Sequence, residues 1–142
     1  MIVFLLLTAA AIQDCSRKPT ATAKDECLLH QSMALDEADH FDCQGRNTQS
    51  DLNVCSFRDY LEADIELNRL WSAATKRLAG QPKILGTLLN GQRSWLAYRD
   101  KQCDVWAKLY EGGTIASLAV NTCLIDITRF RTKELGQLLE NR

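Results

Sequence analysis

Six cysteines behind a short apolar leader constrain the fold of this 142-residue chain more than any other feature. Residues Met1 to Ala11 are apolar apart from Thr8 and end in three alanines, a pattern typical of the core and cleavage site of an export signal, although the leader lacks the usual Lys or Arg. Exported proteins meet oxidising conditions, so an even number of cysteines predicts three disulfides. We therefore expect a signal peptide over residues 1–11 and a periplasmic or secreted location.

The leader is too short to anchor the chain by itself. Its apolar run ends at Ile12, before Gln13 and Asp14, whereas a membrane-spanning helix needs about 20 apolar residues. We expect no membrane span. Lipidation of Cys15 is an alternative, but that processing requires small residues in the two positions where Gln13 and Asp14 stand. A disulfide is therefore the preferred role for Cys15.

Composition indicates one small soluble domain and excludes several classes of function. The chain is 46% hydrophobic and 25% charged, with a net charge of −1. Its basic residues form no stripe of the kind that binds nucleic acid, so no nucleic-acid partner is expected. The sequence also has no glycine-rich phosphate-binding loop.

From residue 48 onward, apolar residues recur at helical spacing. The first predicted helix starts at a cap on Thr48 or Asn47 and runs to about Ala79. The second begins at Pro82, with a kink possible at Gly91, and ends at Gly112-Gly113. Thr114 caps the third. Short connections favour antiparallel neighbours, so residues 47–142 predict an all-α, three-helix antiparallel bundle stapled by disulfides. Residues 12–46 form an irregular, partly helical extension.

Spacing also predicts which cysteines pair. Cys103 and Cys123 each lie ten residues from Gly113, so the two sites come level in an antiparallel hairpin. The remaining four fall into two copies of the pattern D-C-x4-T-x6-C, which begin at Asp14 and Asp42. Either a partial duplication or coincidence explains this repeat. Both explanations place one cysteine before a helix and one two turns inside it. The expected bonds are Cys15–Cys27, Cys43–Cys55 and Cys103–Cys123.

Three charged residues interrupt the apolar faces of the predicted helices. Asp64 lies on the first helix, Arg99 on the second and Arg129 on the third. Unpaired charges inside a bundle are costly, so we expect Asp64 to accept hydrogen bonds from Arg99 or Arg129 in a structural ion pair. An alternative makes Asp64 a catalytic carboxylate in a hydrolase. A glycosidase requires two carboxylates facing one cleft, and Asp100 and Asp104 lie off this face.

The sequence predicts no catalytic residue, metal or cofactor. Both histidines, His30 and His40, lie upstream in the irregular extension, so no serine or cysteine nucleophile has a plausible histidine partner. The cysteines lack the close spacing of zinc or thioredoxin-like sites. Three tryptophans could line a ligand groove, but their helical spacing favours a role in the core. They are Trp71, Trp95 and Trp106.

Several short motifs together resemble the LprI-like lysozyme inhibitor N-terminal domain family. The resemblance covers about Asp42 to Leu135 and has no counterpart for the Cys15–Cys27 extension. Its elements are Asp42-Cys43, Thr48-Gln49, Cys55, Ala63-Asp64, Glu66-Leu67-Asn68, Gln92-Arg93, Trp95, Tyr98-Arg99-Asp100, Cys103, Gly112-Gly113-Thr114, Cys123, Thr128-Arg129 and Glu134-Leu135.

The resemblance implies a small exported helical domain without enzymatic activity, whose partner is a protein such as a lysozyme. An inhibitor of a basic lysozyme would be expected to carry an acidic patch. The only candidate is Asp36-Glu37-Ala38-Asp39 with Asp42, and a solvated acidic turn is the preferred interpretation of these residues. The alternative function is a structural or stress-related periplasmic module with a different envelope partner.

Overall fold

A computed structural model describes residues 43–45 and 47–141 of the chain. This part contains three α-helices: α1 over Gln49–Arg77, α2 over Pro82–Leu109 and α3 over Ala116–Glu140. The predicted all-α antiparallel bundle is confirmed. The leader, the Cys15–Cys27 bond, the two histidines and the acidic residues at 36–42 lie outside the described residues, and their predicted roles stay predictions.

The ends of α1 follow from its sequence. Thr48 is the N-cap: its hydroxyl accepts from the backbone N–H of Asp51, whose carboxylate accepts from the Thr48 N–H in return. This reciprocal pair is a capping box. At the other end, Lys76 and Arg77 complement the helix dipole. Pro82 occupies the first turn of α2, where its missing N–H costs nothing, and α2 continues through Gly91 without a break.

The turn between α2 and α3 depends on backbone that only glycine adopts easily. Gly112 has φ +79°, in the left-handed region where a Cβ is strained. A Cβ on Gly113 would approach the carbonyl oxygen of Tyr110 to 3.1 Å. The predicted cap at Thr114 is wrong. Helix α3 instead begins after Ile115 without a side-chain cap, and the Thr114 carbonyl accepts from the Asn53 side chain of α1 at 2.9 Å.

Helix α3 packs against both α1 and α2, and the core divides into two apolar clusters along its length. The cluster near the start of α3 contains Tyr60, Cys103, Val120, Leu124 and Ile125. The cluster near its end contains Leu67, Ala74 and Leu135, with Leu70, Trp71, Leu88, Trp95, Leu138 and Leu139 packed around them. Along each helix, the residues between these clusters include buried polar side chains, so a polar layer separates the two parts of the core.

Two disulfides clamp the bundle. Cys103 on α2 and Cys123 on α3 are bonded with 5.6 Å between their Cα atoms, and Cys103 is fully buried in the core. Cys43 is bonded to Cys55 and holds the segment before α1 against that helix, with 5.9 Å between the Cα atoms. The first bond joins two helices, whereas the second fixes where the chain enters the bundle.

Candidate functional site

The polar layer centres on an ion pair between α1 and α2. Nη1 of Arg99 lies 3.4 Å from Oδ1 of Asp64, and both side chains are 2% exposed. Asn68, one turn after Asp64, donates from Nδ2 to Oδ2 of the same carboxylate at 3.2 Å. Both carboxylate oxygens of Asp64 are therefore engaged, as a buried charge requires.

Arg99 is held from several sides. Its Nε donates to Oδ1 of Asp100 at 3.1 Å. Its guanidinium carbon lies 5.9 Å from the ring centre of Tyr60 and 5.2 Å from that of Trp95. These distances suit cation–π attraction, which strengthens when the cation is removed from water. The arginine thus gains an acid on each side and two aromatic rings in place of its hydration shell.

The expectation for Arg129 is corrected by the structure. This side chain is exposed on α3 and takes no part in the Asp64 pair. The inward stripe of α3 runs through Asn121, Leu124, Ile125, Thr128 and Leu135 instead. Arg129 directly follows Thr128 in the sequence, so its side chain is turned about 100° away from this inward stripe. Thr128, which is 0% exposed, takes the buried position, and its hydroxyl makes no hydrogen bond with any described residue.

Further polar contacts tie the helices together on either side of this layer. Gln92 of α2 is buried and accepts from Nε of Arg131 of α3 at 2.9 Å. Toward the start of α3, Asn121 donates to the Ser56 hydroxyl at 3.0 Å. At the far end of the bundle, Arg77 of α1 donates to the carbonyls of Leu139 and Asn141. Specific pairs thus set the register of α3 against both neighbours.

The geometry of Asp64 does not suit a catalytic carboxylate. The residue is 1% exposed, while an acid or base for hydrolysis must face a cleft that admits substrate. Glu66 lies exposed on the opposite side of α1, and the Arg69 guanidinium that bonds it lowers the pKa of its carboxyl.

Within residues 43–45 and 47–141, no three His, Cys, Asp or Glu side chains come together as metal ligands. In the same part of the chain, no helix is long and apolar enough to cross a bilayer.

A stacked pair of exposed aromatic rings lies at the turn between α2 and α3. The rings of Trp106 and Tyr110 stack with 6.2 Å between centroids and 11° between planes. Each residue is 39% exposed, and Ile115 across the turn is 40% exposed. We call Trp106, Tyr110 and Ile115 the aromatic end. Tryptophan and tyrosine are the residues that most often carry the binding energy of protein interfaces.

The position of Trp106 corrects the sequence-based expectation. Helical spacing favoured the core for all three tryptophans. Trp71 and Trp95 do pack against the second apolar cluster, but Trp106 does not join the core. Val105 beside it is 48% exposed, so large apolar residues near the end of α2 lie outside the core. Helical spacing alone does not distinguish them from core residues.

Comparison with known proteins identifies the family. The model of the family described as lysozyme inhibitor LprI matches residues 42–135, about two thirds of the chain. The chain belongs to the lysozyme inhibitor LprI family. It is also similar to an uncharacterized protein of Rhizobium meliloti (strain 1021), with 35% identity over 111 residues that cover 70% of this chain and 80% of that protein. No solved structure matches the chain.

The residues that carry the resemblance to the LprI family fall mainly inside the bundle. Asp64, Asn68, Gln92, Trp95 and Arg99 are all buried or half-buried and contribute to the polar layer or its walls. The LprI motif therefore specifies how the helices pack. A surface that recognises a partner has to be sought among exposed side chains, and the stacked pair of the aromatic end is one candidate.

Proposed function

We propose that this LprI-family chain is an exported, non-enzymatic domain that binds a lysozyme-type muramidase and inhibits it in the periplasm or outside the cell. The observation that carries the proposal is the match over residues 42–135 to a family described as lysozyme inhibitors. The apolar leader and the cysteine bridges support an oxidising location. The burial of Asp64 favours a scaffold over a hydrolase.

Apolar contact is the better candidate for the binding force than overall charge. Residues 47–141 carry eleven acidic and twelve basic side chains, so the bundle offers no net negative charge to attract a basic lysozyme. The aromatic end offers two rings on a rigid support: α2 is pinned to α3 by the Cys103–Cys123 bond close to the turn. Because the support is rigid, little conformational freedom is lost on binding. We therefore place the inhibitory contact at Trp106 and Tyr110.

A lysis assay tests both parts of the proposal. The purified, oxidised chain should slow the lysis of a bacterial cell-wall suspension by lysozyme. The double variant Trp106→Ala/Tyr110→Ala should weaken inhibition at least about ten-fold, as expected for the loss of interface hot spots. Phe130→Ala is the matched control, because Phe130 is 65% exposed but lies half-way along α3, away from the turn.

The outcomes separate the proposal from its alternatives. No protection of the cell wall by a large molar excess of the folded chain would overturn lysozyme inhibition and favour a different envelope partner. If both the double variant and the control still inhibit lysozyme, the proposed function stands but the aromatic end is not the inhibitory site. Circular dichroism melting of each variant checks that the bundle is intact.

A further inference from the structure

Within the described part of the chain, the outer face of α2 is exposed and carries an ordered pattern of side chains. A shallow depression of about 410 Å³ lies there, lined by Lys101, Asp104, Val105, Lys108 and Leu109. We call these residues, with the neighbouring Glu111, the α2 outer face. Leu109 is 66% exposed and Val105 is 48% exposed. The side chains of Lys101 and Lys108 make no hydrogen bond or ion pair within the described part of the chain.

The charges on this face alternate in sign. Lys101, Asp104 and Lys108 are three or four residues apart and lie on one flank of α2, and Glu111 follows in the turn two residues after the helix ends. An anionic membrane or a strongly acidic segment would meet two carboxylates here, and a basic partner would meet two lysines. A surface with the same alternating pattern, running in the opposite direction, would satisfy all four charges.

A second copy of the same face provides that surface. When two α2 helices lie antiparallel about a two-fold axis near residue 106, Asp104 lies opposite Lys108 of the second copy, and Lys101 lies opposite its Glu111. The same register brings Val105 next to Leu109 of the second copy on the other flank. The symmetry repeats each contact, giving four ion pairs around a small apolar centre. A self-complementary patch of this kind is what an isologous dimer requires.

We propose that the α2 outer face mediates self-association of this chain through antiparallel pairing of two α2 helices. The contact is confined to about three turns of one helix, and interfaces of such limited area are typical of transient association. The dimer should therefore form and dissociate readily and should weaken with added salt, because its ion pairs lie at a solvent-exposed rim. Trp106 and Tyr110 are rotated by about 100° from Val105 and Leu109 respectively, so they stand at the edge of this face and not at its centre.

Analytical ultracentrifugation of the oxidised chain, over concentrations up to the millimolar range, tests this arrangement. The wild-type chain should show a monomer–dimer equilibrium. Lys108→Glu and Asp104→Lys should each weaken the dimer by about ten-fold or more, because each creates two like-charge contacts across the axis. The charge-swapped double variant D104K/K108E should restore association, because it rebuilds both pairs with their signs exchanged.

Lys133→Glu is the matched control: it reverses an exposed charge on α3 and should leave the equilibrium unchanged. Val105→Asp should abolish association without lowering the melting temperature, since this side chain is already exposed. A chain that stays monomeric at every concentration would overturn the proposal. So would a dimer that all the α2 variants retain, or a double variant that associates no better than either single one. Lysis inhibition is a separate readout, so either idea can fail alone.

Discussion

At the scale of single residues, the feature that most needs explanation is a charged pair inside a small core. Removing Asp64 and Arg99 from water costs several kcal/mol per ion. Their 3.4 Å contact, with Asn68 on the carboxylate and Trp95 over the guanidinium, offsets that cost. What such a pair gains over apolar residues is specificity: α1 and α2 cannot slide by a turn without separating Asp64 from Arg99.

Replacing one member of this pair should be far worse than replacing both. Asp64→Ala leaves a buried guanidinium without its main acid, so we expect the free energy of unfolding to fall by about 3–5 kcal/mol. The double variant Asp64→Leu/Arg99→Met substitutes apolar groups on both sides and should recover most of that loss. Urea denaturation at neutral pH measures the three free energies.

Glu66→Gln is the control for the effect of removing a carboxylate from α1. Glu66 is exposed and bonded to Arg69 within its own helix, and exposed pairs contribute little to stability. Its lowered pKa means that its small contribution is present above the pKa of the unfolded chain and disappears as the pH falls through the folded pKa. If Asp64→Leu/Arg99→Met is no more stable than Asp64→Ala, this explanation of the ion pair is wrong.

The sequence revealed Asp64 and Arg99 because charges that interrupt an apolar stripe stand out. The third member of that prediction failed for a definite reason. On α3, Leu118, Thr122 and Ile125 are spaced so that Arg129 continues their face of the helix. Only the packing against two neighbours selects the stripe through Asn121 and Thr128. The exposure of Trp106 could not be predicted for the same reason. Periodicity identifies the apolar face of a helix but does not show whether a neighbouring helix covers it.

At the scale of helices and turns, local chemistry set most of the boundaries. The sequence predicts the Thr48 cap and the start of α2 at Pro82 correctly, since each depends on the geometry of one side chain. It does not predict the start of α3. Thr114 is a good cap by type, but its carbonyl bonds Asn53 of α1 instead, and helix α3 begins two residues later. A contact between residues distant in sequence overrode the local preference.

Gly112→Ala should lower the free energy of unfolding by about 1 kcal/mol, because alanine is strained at the positive φ of this turn. Gly80→Ala is the matched control. Both glycines lie in turns between helices, and a Cβ at either one meets no atom within 4 Å. Only the backbone angle differs, so Gly80→Ala should be neutral or slightly stabilising. Equal effects in thermal denaturation would show that the left-handed angle does not matter.

At the scale of the whole molecule, the two disulfides have different roles although they close loops of similar size. Cys43–Cys55 spans 12 residues and Cys103–Cys123 spans 20, so chain entropy alone predicts a contribution of about 3 kcal/mol from each. The second bond also lies in an apolar cluster with Tyr60 and Leu124. It joins the two helices that present the aromatic end, whereas the first only fixes the approach to α1.

We therefore expect Cys103→Ala/Cys123→Ala to destabilise the chain more than Cys43→Ala/Cys55→Ala. Both double variants remove a constraint on the unfolded chain. Only Cys103→Ala/Cys123→Ala also removes buried sulfur atoms from the core, where the cavity that they leave adds its own cost. Urea denaturation of the two paired variants, each without a free thiol at the altered bond, gives the comparison directly. Cys103→Ala/Cys123→Ala should also inhibit lysozyme less well at temperatures where it is still folded, because no covalent bond then joins α2 to α3 near Trp106. Equal destabilisation, or unchanged inhibition by both variants, would show that the bond between α2 and α3 matters only as a constraint on the unfolded chain.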